Sequence, residues 1–197
     1  MPRKPRVLLD GGYYHLIARG NNRLYLFSVK EGFEVFHELL LESKERFDWK
    51  LFHYCLMSNH FHLLGQISKA QDLPRLMQLL LFGYSRWYRK QTKYLGHVWQ
   101  GRYKSPLIEK ESYFLECGRY IERNPVRAGI VTCAEKYRWS SYSYYALGQK
   151  DELVDEDPYY AALGQTDLER QEYYQKFVSL EGPYDQIIDR SLLEKYF

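Results

Sequence analysis

The sequence places two histidines one residue apart, in His60-Phe61-His62. On a β-strand, residues i and i+2 project from one face, so both imidazoles point one way and Phe61 points the other way, into packing. Two imidazoles a few ångströms apart on a rigid strand make half of a metal site, and imidazole suits first-row divalent ions including manganese and zinc. A second set lies downstream. Glu116, Tyr120 and Asn124 recur at i, i+4 and i+8, which puts them on one face of a helix. Arg119, Arg123 and Arg127 form a neighbouring stripe at the same spacing. A phenol with an oxygen ligand one turn away and cations alongside could attack a phosphodiester. A free phenol ionises only near pH ~10, so a metal or cations must carry the developing charge. Each set also has a structural reading. The histidines could be surface groups or buried and hydrogen-bonded, and Tyr120, one of 20 tyrosines, could simply pack beside solvated arginines.

Residues 13–19 read as a first strand, ended by Gly20-Asn21-Asn22. Phe33, Phe36, Leu39, Leu40 and Phe47 recur at three-to-four spacing and predict an amphipathic helix over 31–46. Trp49 to Met57 and His60 to Ile67 are strand-like, with Ser58-Asn59 as the turn between them. Asp72 is the expected cap of a long helix, with Pro74 in its first turn, that runs to about Tyr94 and stops at Gly96. Residues 98–108 look extended, with Pro106 at an edge. A further helix opens at Glu111 or Ser112 and runs through Arg123, with Pro125 ending it. Strand, helix, strand, strand, helix, strand is the split β-α-β order of a ferredoxin-like α+β domain. After Trp139 the texture changes: a tyrosine-rich patch, an acidic loop over 151–157, a helix over 168–180 and a short one over 191–197.

The chain has 197 residues, enough for one domain or one domain with an appendage. With 45% apolar and 27% charged residues it has the composition of a globular protein, neither disordered, collagenous nor a coiled coil. No run of apolar residues is long enough to cross a membrane, and the one after the basic N-terminus is too short for a signal peptide, so a cytoplasmic protein is expected. Cys55, Cys117 and Cys133 are odd in number and widely spaced, which predicts free thiols rather than a disulfide framework or a cysteine zinc site. The net charge of +3 hides an asymmetry: residues 1–138 carry 23 Lys+Arg against 13 Asp+Glu, a net of +10, and the rest carry a net of −7. A basic body rich in aromatics suits single-stranded nucleic acid, where bases stack on rings and phosphates meet cations. Arg86, Arg89, Lys90, Arg102 and Lys104 are candidate phosphate contacts, Trp87 and Trp99 candidate stacking groups, and His15 a hydrogen-bonding neighbour of the histidine strand.

Taken together, Met57-Ser-Asn-His-Phe-His-Leu-Leu64, His97-Val-Trp-Gln-Gly-Arg-Tyr-Lys-Ser105, Arg119-Tyr-Ile-Glu-Arg-Asn-Pro-Val-Arg-Ala-Gly129 and Tyr137-Arg-Trp-Ser-Ser-Tyr142 resemble the single-tyrosine HUH transposases. The IS200-like group and its REP-associated tyrosine transposase branch are the nearest likeness, and Tyr14-His-Leu-Ile-Ala-Arg-Gly-Asn-Asn-Arg23 fits the opening strand. The resemblance covers roughly residues 10–145. Ser58 is a departure, since many members carry proline there.

The resemblance implies an HUH endonuclease fold: a ferredoxin-like antiparallel sheet with helices on one face over residues 1–145, followed by an acidic, mostly helical extension over 146–197. It implies His60 and His62 as ligands of a catalytic Mg2+ or Mn2+, Asn124 as a third ligand and Tyr120 as nucleophile. Arg119, Arg123 and Arg127 join the DNA-binding set. The implied activity is cleavage and rejoining of single-stranded DNA at hairpin-forming palindromic repeats through a 5′-phosphotyrosine, by a monomer or homodimer. No nucleotide cofactor is expected, and no Gly-rich phosphate loop occurs. Two rivals remain: a non-catalytic DNA or RNA hairpin-binding module, and a zinc hydrolase using the histidine pair and water.

Overall fold

The protein is described by a computed structural model over residues 8–109 and 111–182. The elements are β1 (Gly12–Arg19), α1 (Gly32–Arg46), β2 (Trp49–Leu56), β3 (His60–Ile67), α2 (Leu73–Thr92), α3 (Glu111–Arg127), α4 (Tyr142–Leu147) and α5 (Asp167–Ser179). The expected helix over 191–197 lies outside the described residues. The chain divides into two compact units. One takes the residues up to Leu51 and Leu56–Ile108; the other takes Phe52–Cys55 and the chain from Glu109 onward.

An antiparallel sheet has the strand order β1-β3-β2. β1 and β3 pair in a register that sets Ile17 opposite His62 and Arg19 opposite His60. Residues 98–108 do not form a regular strand. They follow the free edge of β1 through isolated bridges, Trp99 to Gly20, Lys104 to Ile17 and Leu107 to Tyr14. Pro106 lacks the N–H a continuous ladder requires, although its carbonyl still accepts from the His15 amide at 3.1 Å. The split β-α-β order therefore holds, with a frayed fourth edge. The helices pack on the Phe61 face: Phe36 of α1 lies 4.8 Å from Phe61 and 5.5 Å from Tyr84 of α2, ring centre to ring centre. Apolar spacing built this layer, but α2 stops earlier than expected. Lys93 takes a left-handed conformation at φ 59° and closes the last turn. Asp72 makes no side-chain cap; its carboxylate pairs instead with Arg75 at 3.6 Å.

In the second unit α3 runs past Pro125 to Arg127, where the sequence predicts a stop. Pro125 leaves the Ile121 carbonyl without its usual N–H. The Asn124 side chain supplies one, donating from Nδ2 to Ile121 O at 3.3 Å and to Tyr120 O at 2.8 Å. The helix then closes on Gly129 at φ +67°, a conformation that suits glycine.

The residues after 145 carry the expected helical region, in α5 and the end of α4. Tyr142, Tyr145 and Ala146 share one apolar core with Tyr160, Tyr174 and Val178, so the expected boundary at 145/146 cuts through packed side chains. α5 begins with a reciprocal cap between Thr166 and Glu169.

Beneath that core lies a buried ionic cluster. His53 meets Glu122 through Nδ1 at 3.0 Å and Asp157 through Nε2 at 2.9 Å, with all three side chains fully buried. Ser141 and Tyr174 donate hydroxyls to Glu122 at 2.6 and 2.9 Å, and the Tyr159 amide donates to Asp157 at 2.7 Å. The His53 ring stacks on Tyr145, centroids 4.5 Å apart. Gly118 of α3 makes the fit possible, because a Cβ there would come within 2.8 Å of the imidazole.

Among the described residues, no helix is long and apolar enough to cross a membrane, and the three cysteines are free.

Candidate active site

β3 carries His60 and His62 on the face opposite Phe61, as strand alternation requires. Their ring centroids are 5.0 Å apart and nearly perpendicular. The two are held differently. His60 is half-buried, and its Nδ1 lies 2.6 Å from the Asn59 side-chain oxygen. An amide oxygen only accepts, so Nδ1 carries the proton and Nε2 the lone pair. Burial, aided by the Arg19 charge, pushes the His60 pKa down to about 4, so its neutral form prevails near pH 7.

His62 is 2% exposed, and its Nδ1 lies 2.9 Å from Nε2 of His15, which is itself fully buried on β1. The register explains the meeting: His15 is paired with Leu64, which places it diagonal to His62 on the same face. Burial lowers the His15 pKa to about 3, so a neutral imidazole accepts or donates there. Among the described residues, no group of three His, Cys, Asp or Glu converges as a ready-made metal cage.

The candidate nucleophile and amide lie on α3, in the second unit. Tyr120 is 2% exposed, and Asn124 is also buried. The Asn124 nitrogen is committed to the helix backbone, which makes its oxygen the ligand-capable atom. The cation beside the phenol is Arg127, whose guanidinium carbon lies 5.0 Å from the Tyr120 ring centre. Tyr113 sits in the first turn of α3 and is 37% exposed.

The arginine stripe separates into different roles. Arg119 and Arg123 are 5% and 7% exposed, which corrects their expected place on a DNA-facing surface. Arg119 pairs with Glu116 and lies 4.4 Å over the Phe177 ring of α5. Arg123 donates to the Val178 and Ser179 carbonyls at 3.1 and 2.7 Å and lies 3.7 Å from Glu181. Arg123 thus satisfies carbonyls at the carboxyl end of α5, and Arg119 covers a ring of the same helix. Spacing showed the stripe but could not show the helix that covers it. Arg86, Arg89, Lys90, Arg102 and Arg127 are exposed, and Lys104 is half-buried where it bridges to β1.

The His53–Glu122–Asp157 cluster escaped sequence reading because its partners lie 69 and 104 residues from the histidine. A signal was present: β2 is buried on both faces through most of its length, and a histidine inside such a strand needs polar partners.

The family described as Transposase IS200 like matches residues 9–124, and the chain belongs to that family. A search of curated proteins finds no match. Among solved structures, a REP-associated tyrosine transposase bound to a REP hairpin is similar in fold, with a TM-score of 0.63 and 16% identity over 80% of this chain and 93% of that one. A chain from Deinococcus radiodurans R1 described as a transposase aligns at a TM-score of 0.42 and 21% identity, over 62% of this chain and 97% of that one.

Proposed function

We propose that the protein is a divalent-metal-dependent enzyme that nicks and rejoins single-stranded DNA at hairpin-forming palindromic repeats, with Tyr120 as nucleophile. The observation that carries this reading is the oriented histidine pair. Asn59 fixes the His60 tautomer so that Nε2 is a bare base. If His62 donates its Nδ1–H to His15, its own Nε2 is bare as well. Ligating histidines need this arrangement, with one nitrogen free and the other held by a neighbour. His60, His62 and the Asn124 oxygen would hold Mg2+ or Mn2+. When bound, the ion supplies Lewis-acid charge on the phosphate oxygens. The fold neighbour that carries a REP hairpin supports a hairpin substrate.

The chain's own residues supply the rest. The Tyr120 oxygen attacks phosphorus in line, with the Arg127 cation beside the ring to meet the phosphate charge. The bond from phosphorus to the 3′-oxygen breaks, and the phenol's proton ends on the released 3′-hydroxyl. The downstream strand stays on Tyr120 through its 5′-phosphate. One P–O bond forms for each one broken, so the exchange needs no nucleotide cofactor and the 3′-hydroxyl can reverse it. The burial of Tyr120 means that the phenol must be uncovered to react. That same burial favours, as the second reading, a hairpin-binding module that does not cut.

The test is a denaturing gel with a labelled imperfect-palindrome hairpin taken from the DNA flanking the gene. Wild type and Tyr113→Phe should form a covalent adduct with Mn2+, whereas Tyr120→Phe, or EDTA added to wild type, should abolish it. An adduct mapped to another tyrosine, or one that survives chelation, overturns the assignment. Hairpin binding without any adduct selects the second reading.

A further inference from the structure

α2 and the segment over 97–103 enclose an open pocket of about 410 Å³ in the first unit. That volume is in the lower range of small-ligand sites, ~300–1,000 Å³. Its floor is apolar and fixed. Met77 and Val98 are buried. Trp99 donates its indole N–H to the Leu81 carbonyl at 2.9 Å, and its ring packs 5.7 Å from Phe61 and 5.8 Å from Tyr84. Its rim has a different character. Phe82 is 59% exposed. Arg89 and Arg102 are exposed lining residues, and no aspartate or glutamate lines the pocket. Arg86 and Arg89 follow Phe82 at i+4 and i+7, so ring and cations share one side of the helix.

Phe82 also borders a second cleft that Glu42, Asp48 and Asp72 line. The rim of this pocket, with an exposed ring, two arginines and no carboxylate, is poorly suited to covering by another apolar helix, which would have to desolvate the arginines. It is well suited to a flat heterocycle attached to phosphates. We propose that this pocket takes one unpaired nucleobase of single-stranded DNA, stacked on Phe82, with the flanking phosphates on Arg89 and Arg102. The proposal rests on the single-stranded DNA reading above. It adds a subsite separate from both the histidine pair and Tyr120.

The experiment compares two labelled probes with equal phosphate number, a dT 12-mer and an abasic 12-mer, binding to the full chain at fixed salt by fluorescence anisotropy. Wild type should prefer the dT 12-mer. Phe82→Ala, at an exposed site that the fold does not need, should weaken dT 12-mer binding by roughly 5- to 150-fold, the range of one lost base–aromatic stack. It should leave abasic binding unchanged. Arg89→Gln should weaken both probes alike and reduce the log–log salt slope by about 0.7. A 5-iodouracil probe should cross-link to Phe82, Trp99 or Tyr103.

Equal wild-type affinity for the two probes, an equal loss on both in Phe82→Ala, or cross-links elsewhere would overturn the pocket while leaving DNA binding intact. Failure of wild type to bind either probe would remove the DNA reading and the pocket together. Dimerisation of the DNA-free chain that is lost in Phe82→Ala would assign the pocket to a second copy and also overturn the proposal.

Discussion

The His53 cluster makes stability depend on pH in a calculable way. Burial alone would lower the His53 pKa, but the hydrogen bonds and charges of Asp157 and Glu122 outweigh it and raise the value from 6.5 to about 9. A group whose folded pKa exceeds its unfolded one stabilises fully below the unfolded value. That contribution is lost as pH rises through the folded value. The window is therefore pH 6.5 to 9. The gap between those values converts, at ~1.36 kcal/mol per unit, to about 3 kcal/mol. The neighbouring groups should stay silent in this window, because burial holds the Cys55 thiol and the Tyr145 and Tyr174 phenols well above their ordinary values. With a urea slope of ~1–3 kcal/mol per M, the unfolding midpoint should fall by roughly 1–3 M between pH 6.5 and 9.5. NMR of the imidazole carbon should show His53 titrating near the upper end of the window. Asp157→Asn should move that titration down and shrink the urea effect. A His53 midpoint at or below 7, together with a flat urea midpoint, would refute the reasoning.

Three further outcomes are expected. His15→Phe removes the group facing His62 Nδ1 and should cost roughly 10- to 100-fold in Mn2+ affinity by calorimetry; unchanged affinity would show that His15 does not orient the ligand. Asn124→Ala removes the donor that bridges the gap left by Pro125, so thermal unfolding in EDTA should show a loss of about 1–3 kcal/mol, whereas an unchanged melting temperature would mean that the carbonyl is satisfied some other way. Truncation after residue 149 strips Asp157, Tyr160 and Tyr174 from the second unit and should abolish its cooperative melting by calorimetry; a truncated chain that melts like wild type would return residues 150–182 to the role of an appendage.

Much of the first unit was legible because its signals are local. Phe33, Phe36, Leu39 and Leu40 state the period of α1, and His60-Phe61-His62 states strand alternation directly. Where local rules failed, a side chain from elsewhere had replaced a backbone group or covered a surface. Pro125 reads as a stop because its lost N–H is visible in sequence, whereas the Asn124 amide that replaces it is not. Arg119 and Arg123 read as free cations because the α5 carbonyls and ring they meet are more than fifty residues away. Asp151 and Asp157 read as a solvated acidic loop, yet Asp157 is 1% exposed and Asp151 accepts the Tyr54 hydroxyl at 2.7 Å. Of the candidate site, the residue types and their faces were readable, and the buried state of Tyr120 was not.

The cluster around His53 also sets an order of events during synthesis. Phe52–Cys55 belong to the unit formed otherwise by the chain from Glu109 onward. His53 leaves the ribosome 69 residues before Glu122 and 104 before Asp157. At ~5–20 residues per second, the second acid follows the histidine by about 5–20 s. Until then the His53 imidazole lacks the full pair of acids that raises its pKa in the finished core. A nascent chain halted before residue 157 would carry His53 without the second acid that holds its charge in the finished core.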